Sequence, residues 1–79
     1  MTRAEWEALV EYTLNIGRQM MECGAEAWRA ENTMARIFRA YDLEVLDAHV
    51  IATQAAVTVK TPTGEHYTST CMILPDKTG

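Results

Sequence analysis

Cysteine is scarce and scattered in this chain: Cys23 and Cys71 lie far apart and beside no other metal-ligating residue at usable spacing. Neither a zinc motif nor a disulfide framework is therefore encoded, and reduced thiols of a cytosolic protein are the expectation. Long apolar runs are missing too. No stretch approaches the roughly 20 residues needed to span a bilayer, and no basic start leads into an apolar segment of signal-peptide kind. Positive charge is in short supply, with 7 Lys and Arg against 11 Asp and Glu for a net charge of -4. That balance argues against nucleic acid or an anionic lipid surface as the partner, because such binding rests on clustered cations, and Arg29, Arg36 and Arg39 make only a small local group. Repeats and low-complexity segments are also lacking.

What is present is a globular composition, 48% apolar and 23% charged. Seventy-nine residues make one domain close to the size at which a single core holds, since so short a chain buries only about 60% of its unfolded surface. Oligomerisation or docking to something larger is expected to help. Thr2 followed by Glu5 has the form of a capping box. From there Trp6, Leu9, Val10, Thr13, Ile16, Gly17 and Met20 recur at helical spacing, which predicts a helix from Arg3 to Cys23. Gly24 stands where a helix end needs a left-handed backbone. A second apolar stripe, Ala27, Ala30, Met34, Ile37, Phe38 and Tyr41, predicts another helix ending near Tyr41-Asp42 and antiparallel to the first.

Beyond Asp42 the period falls to two. Leu46, Ala48, Val50 and Ala52 share an apolar face of an extended strand, with Val45, Asp47, His49 and Ile51 on a mixed one. Val57 and Val59 continue the pattern, Thr61-Pro62-Thr63-Gly64 supplies a turn, and His66 to Ile73 closes a hairpin with Tyr67, Ser69, Cys71 and Ile73 on one side. The expected fold is α+β: an antiparallel helical hairpin packed on a small, three-stranded, mainly antiparallel sheet in the order α-α-β-β-β. Residues 1–74 form the single domain and 75–79 a flexible tail.

Gly24-Ala25-Glu26, followed by Arg29, Glu31, Thr33 and Met34 and preceded by Gly17-Arg18, resembles the N-terminal cytosolic domain of the threonine/serine exporter family. Thr53, Gly64, Thr68 and Ile73 support the likeness, which covers roughly residues 6 to 73. Three positions depart from the family pattern: Ala30 replaces a valine, Ala52 a proline and Met72 an arginine. The resemblance implies a soluble region at the inner face of a membrane, preceding helices that export threonine and serine, with a suggested hydrolase-like activity. The chain then stands as an excised domain, a truncated relative or a small free-standing protein.

On a helical wheel Glu26, Arg29, Thr33 and Arg36 share one flank of the second helix, and Glu31 lies across the apolar stripe. Glu26, Arg29, Glu31 and Thr33 are candidates to bind a substrate or partner, with Arg29 holding a carboxylate such as an amino acid offers. An ordinary solvated face is the plainer alternative. Trp28 points outward beside Asn32, Ala35 and Arg39, as a partner contact or a lone exposed aromatic. Asp47 and His49 alternate onto one strand face, where a carboxylate could orient an imidazole for general-base chemistry if the strand register brings Cys71 or Thr70 of the third strand to them; a plain surface Asp/His pair is the alternative. Gly24 and Gly64 are structural. Cys23, at the wrong end of a helix dipole for activation, is discounted, and the methionines fill the core. No metal site and no cofactor is expected.

The leading functional expectation is a domain serving assembly or regulation of amino-acid export through binding, its partners a membrane transporter segment, an amino acid, or a second copy of itself. A homo-oligomeric interaction module, using a sheet edge or Trp28, is one alternative. A small hydrolase built on Asp47 and His49, or on Glu26, Arg29 and Glu31, is the other.

Overall fold

A capping box starts the fold. In the computed structural model, which describes residues 1–74, the Thr2 hydroxyl accepts from the Glu5 amide at 3.2 Å and the Glu5 carboxylate accepts from the Thr2 amide at 2.7 Å. The Thr2 amide first, and the nearby Thr2 hydroxyl second, hold the Glu5 carboxyl below its ordinary range, so the cap weakens as pH falls through that lowered value. Helix α1 runs Arg3–Glu22 and α2 runs Ala27–Ala40. The flexible tail expected at 75–79 lies outside the described residues.

Both helices end in the same motif. After α1, the Ala25 amide donates to the Met20 carbonyl at 2.9 Å and the Gly24 amide to Met21 at 3.0 Å, with Gly24 at φ +93. This is a Schellman ending, with glycine at the left-handed position as expected. After α2 the pattern recurs with a residue that is not glycine. Leu43 donates to Phe38 and Asp42 to Arg39, both at 3.0 Å, while Asp42 takes φ 63. Leu43 and Phe38 are both buried, the apolar contact that accompanies this ending.

Strands β1 (Glu44–Ile51), β2 (Gln54–Lys60) and β3 (His66–Met72) form an antiparallel sheet in sequence order. The α-α-β-β-β architecture is thus as expected. Both helices lie on one sheet face, α1 over β3 and β2, α2 over β1. Trp6, Val10 and Leu14 from α1, Ala30, Met34 and Phe38 from α2, and Val50, Ala55, Val57, Val59, Tyr67 and Ile73 from the sheet side meet in one core. The β2–β3 turn is closed by Thr61, whose hydroxyl accepts from the Glu65 amide at 3.0 Å, with Gly64 at φ +95.

β1 departs from simple alternation. Val45 pairs with Val59 but Asp47 pairs with Thr58, so Leu46 is the extra residue of a β-bulge. The bulge shifts the phase: Val45 packs against the core, whereas Leu46, expected on the apolar face, is 46% exposed. Ala48 and Val50 face inward as expected.

The two helix endings differ only in which residue carries the left-handed backbone, and nothing lies within 4 Å of a Cβ built on Gly24. Gly24→Val should therefore lower stability by about 1–2 kcal/mol through conformation alone. Asp42→Gly should raise it by roughly 0.5 kcal/mol, the relieved strain outweighing the added freedom of the unfolded chain. Urea midpoints of the two variants check both signs.

Candidate functional site

The outer flank of α2 faces the free edge of β1, and the two enclose an open groove of about 430 Å³. Trp28, Asn32, Ala35 and Arg39 recur along one flank of the helix and form its wall, and the bulged stretch Val45–Ala48 forms its floor. Glu31 joins them. Its carboxylate accepts from the Val50 amide at 2.7 Å, so the outermost strand is tied to the helix by a charge-assisted bond across 19 positions of sequence. That bond occupies an edge N–H that would otherwise be open to a pairing strand.

The groove divides the candidate residues. Trp28 and Glu31 belong to it, together with Asn32, Arg39 and Asp47. Thr33 instead lines a separate shallow depression with Arg36, Ile37 and Ala40 on the opposite flank, and Arg29 is exposed. Glu26 does not pair with Arg29. It is the first cap of α2 without a side-chain capping bond, and its carboxylate accepts from the Trp28 indole N–H at 3.0 Å. Trp28 is thereby held by its polar edge while its residue stays 61% exposed. The stripe Trp28, Asn32, Ala35, Arg39 is readable from helical spacing, but which strand would oppose it is not. The bulge that turns Val45–Ala48 into a groove floor leaves no sequence signal beyond an apolar residue out of phase.

Asp47 and His49 do meet, the imidazole Nδ1 lying 3.0 Å from the carboxylate with both side chains more than half exposed. The nearest hydroxyl by register is Thr58, paired across the sheet with Asp47, but it bonds the Thr68 hydroxyl at 3.2 Å, and among the described residues no hydroxyl or thiol is hydrogen-bonded to the pair. His49 pairs across the sheet with Ala56, and Ala56 with Thr70, so Thr70 stands two strands away, about 10 Å by strand spacing. Cys71 is on the other face, in a cleft with Glu11, Leu14, Asn15 and Arg18 of α1. Burial pushes its thiol up, only partly offset by Arg18, the reverse of what an activated cysteine needs. Among the described residues no group of three or more His, Cys, Asp or Glu could hold a metal ion, and no helix is long and apolar enough to cross a membrane.

The family model described as "Putative threonine/serine exporter" (ThrE) matches residues 11–78, most of the chain. No curated protein and no solved structure matches.

Because the Glu31–Val50 bond is the helix's polar hold on the edge strand, its loss has a local signature. Glu31→Ala should cost about 1.5–3 kcal/mol, the range of a hydrogen bond to a charged group. Amide exchange at Val50 should quicken more than at Val57 of the central strand, as followed by hydrogen–deuterium exchange.

Proposed function

The chain belongs to the threonine/serine exporter family, and we propose that it serves such a system from the cytoplasmic side, in assembly or regulation of amino-acid export, by binding and not by catalysis. The α2–β1 groove is the observation that carries the binding reading. It brings together both signs of charge, Arg39 and the carboxylates Glu31 and Asp47, beside an amide, Asn32, and an aromatic, Trp28. A free amino acid is a zwitterion that asks for this combination. The forked donors of Arg39 suit its carboxylate, Asp47 suits its ammonium group, and Asn32 can bond a side-chain hydroxyl such as threonine or serine carries.

In this reading Arg39, not Arg29, is the carboxylate ligand. Arg29, Thr33 and Arg36 on the far flank serve as a docking face for a transporter segment, since none of the arginines of α2 has a salt-bridge partner among the described residues. The hydrolase alternative draws support only from the Asp47–His49 contact, to which no hydroxyl or thiol is hydrogen-bonded among the described residues, the opposed Thr58 bonding Thr68 instead.

Tryptophan fluorescence tests the amino-acid part. Trp6 is buried in the core, so a change on adding threonine or serine reports on Trp28. A saturable response is expected, abolished by Arg39→Ala and retained in Arg29→Ala. No saturable response to either amino acid would remove the ligand and leave only docking.

A further inference from the structure

The two edges of the sheet are not equivalent. On β1 the Val50 amide is taken by Glu31 and the strand is bulged at Leu46, both of which discourage another strand from adding. Within β3 itself neither defence occurs, and only beyond its end does a helix carboxylate, Glu22, accept from the Leu74 amide, at 3.4 Å. β3 pairs with β2 from His66 to Met72 with no register shift, and its sequence, His-Tyr-Thr-Ser-Thr-Cys-Met, contains no proline, lysine or carboxylate.

Hydrogen bonds flanking the β2–β3 ladder settle which backbone groups point outward. Thr61 donates to the Glu65 carbonyl at 2.8 Å and Ile73 to the Thr53 carbonyl at 2.9 Å. In an antiparallel ladder bonded pairs alternate with non-bonded ones, so Tyr67, Ser69 and Cys71 spend their N–H and C=O groups on β2. Thr68, Thr70 and Met72 turn theirs to the open edge. All three are exposed, and no hydrogen bond satisfies their edge amides among the described residues.

Above this edge runs α1. Glu11, Leu14, Asn15 and Arg18 overhang Ser69, Thr70 and Cys71 in a cleft of about 280 Å³. Arg18 bonds Asn15 and lies 3.7 Å from Glu22, while Glu11 has no ionic partner among the described residues. Glu11 and Arg18 flank the stretch Leu14-Asn15 symmetrically, and that stretch sits over Thr70. A two-fold axis through this point would set Thr70 against Thr70 of the partner subunit and Thr68 against Met72 of the partner subunit. The same axis would set Glu11 facing Arg18 of the partner subunit, and Arg18 facing Glu11 of the partner subunit.

We propose that the free β3 edge is a self-association surface: two copies join β3 to β3 in antiparallel register about Thr70, with reciprocal Glu11–Arg18 pairs between the α1 helices. The result is a six-stranded sheet with four helices on one face. The geometry is isologous and closes on itself, so it gives a dimer and not a filament. Self-pairing meets no like-charge clash on the strand, and it satisfies the open amides that a chain of this size is otherwise left to hydrate. This deepens the assembly part of the proposed role, and it stands apart from the α2–β1 groove, which remains open in the dimer.

Sedimentation velocity of the full chain over a wide concentration range tests it. A monomer–dimer equilibrium is expected. Thr70→Pro removes an edge N–H that the β2–β3 ladder does not use and should abolish the dimer with the circular dichroism spectrum unchanged. Glu11→Arg and Arg18→Glu, each alone, should weaken dimerisation about tenfold or more, and the double swap should restore it to within about threefold of the parent. The charge swaps decide the matter should the proline variant fail to fold. A monomer at every concentration, a dimer indifferent to all these changes, or one lost with Thr70→Pro but blind to the swaps would each overturn the proposal. None of these results bears on the threonine and serine titration.

Discussion

Three strands covered from one side by two helices impose a spacing that the helices must meet. The outer strands of such a sheet stand about 10 Å apart, and packed helices stand about 8–10 Å apart, so α2 over β1 and α1 over β3 fit only if the helices touch closely. Gly17 permits that contact. A Cβ placed there would lie 2.6 Å from the Met34 sulfur and 3.2 Å from two further Met34 carbons. Thr13 and Ala30, both fully buried, keep neighbouring positions of the core small as well. Under this seam lie Ala55, Val57 and Val59 of the central strand, none with any exposed surface. Wider helices would open the core above them.

The surfaces follow from that seam. With α2 drawn toward α1, its outer flank overlooks the β1 edge, where Glu31 reaches the Val50 amide and the remaining polar groups gather with Trp28. With α1 over β3, the other edge is overhung by Glu11 and Arg18, and its amides at Thr68, Thr70 and Met72 are left unbonded while only Leu74, past the strand, meets Glu22. One edge is closed by the chain's own carboxylate and by a bulge, the other presents a regular ladder. A small domain thus separates a ligand-sized groove from a strand-pairing edge on opposite sides of a single core.

Much of this was legible in residue order because it depends on local chemistry. Thr2 with Glu5 states a helix start, Gly24 a left-handed stop, Gly64 a turn, and the shift from a helical to a twofold apolar period marks the passage into the sheet. What was not legible depends on partners distant in sequence. Alternation from Ala48 and Val50 puts Leu46 inward, and only pairing with β2 reveals the extra residue. Asp42 gave little sign that it would adopt a glycine's backbone. Glu31 reads as a binding residue from helical spacing, and that its carboxylate also meets an edge amide needs the strand register to be seen. Arg29 and Glu26 share a flank but do not pair, and the Glu26 carboxylate accepts from the Trp28 indole instead. The shared face of Asp47 and His49 is legible from alternation, whereas the hydroxyl opposed to Asp47, Thr58, and its bond to Thr68 become visible only with the strand register.

The helix seam is tested most directly by a double-mutant cycle between Gly17 and Met34 in urea unfolding. Gly17→Leu should overpack the seam and Met34→Ala should leave a cavity, each destabilising by about 2 kcal/mol or more, while together they exchange volume across the contact. The account predicts that the double variant is more stable than the sum of the single losses by at least about 1 kcal/mol. Strict additivity, or a Gly17→Leu protein as stable as the parent, would contradict it.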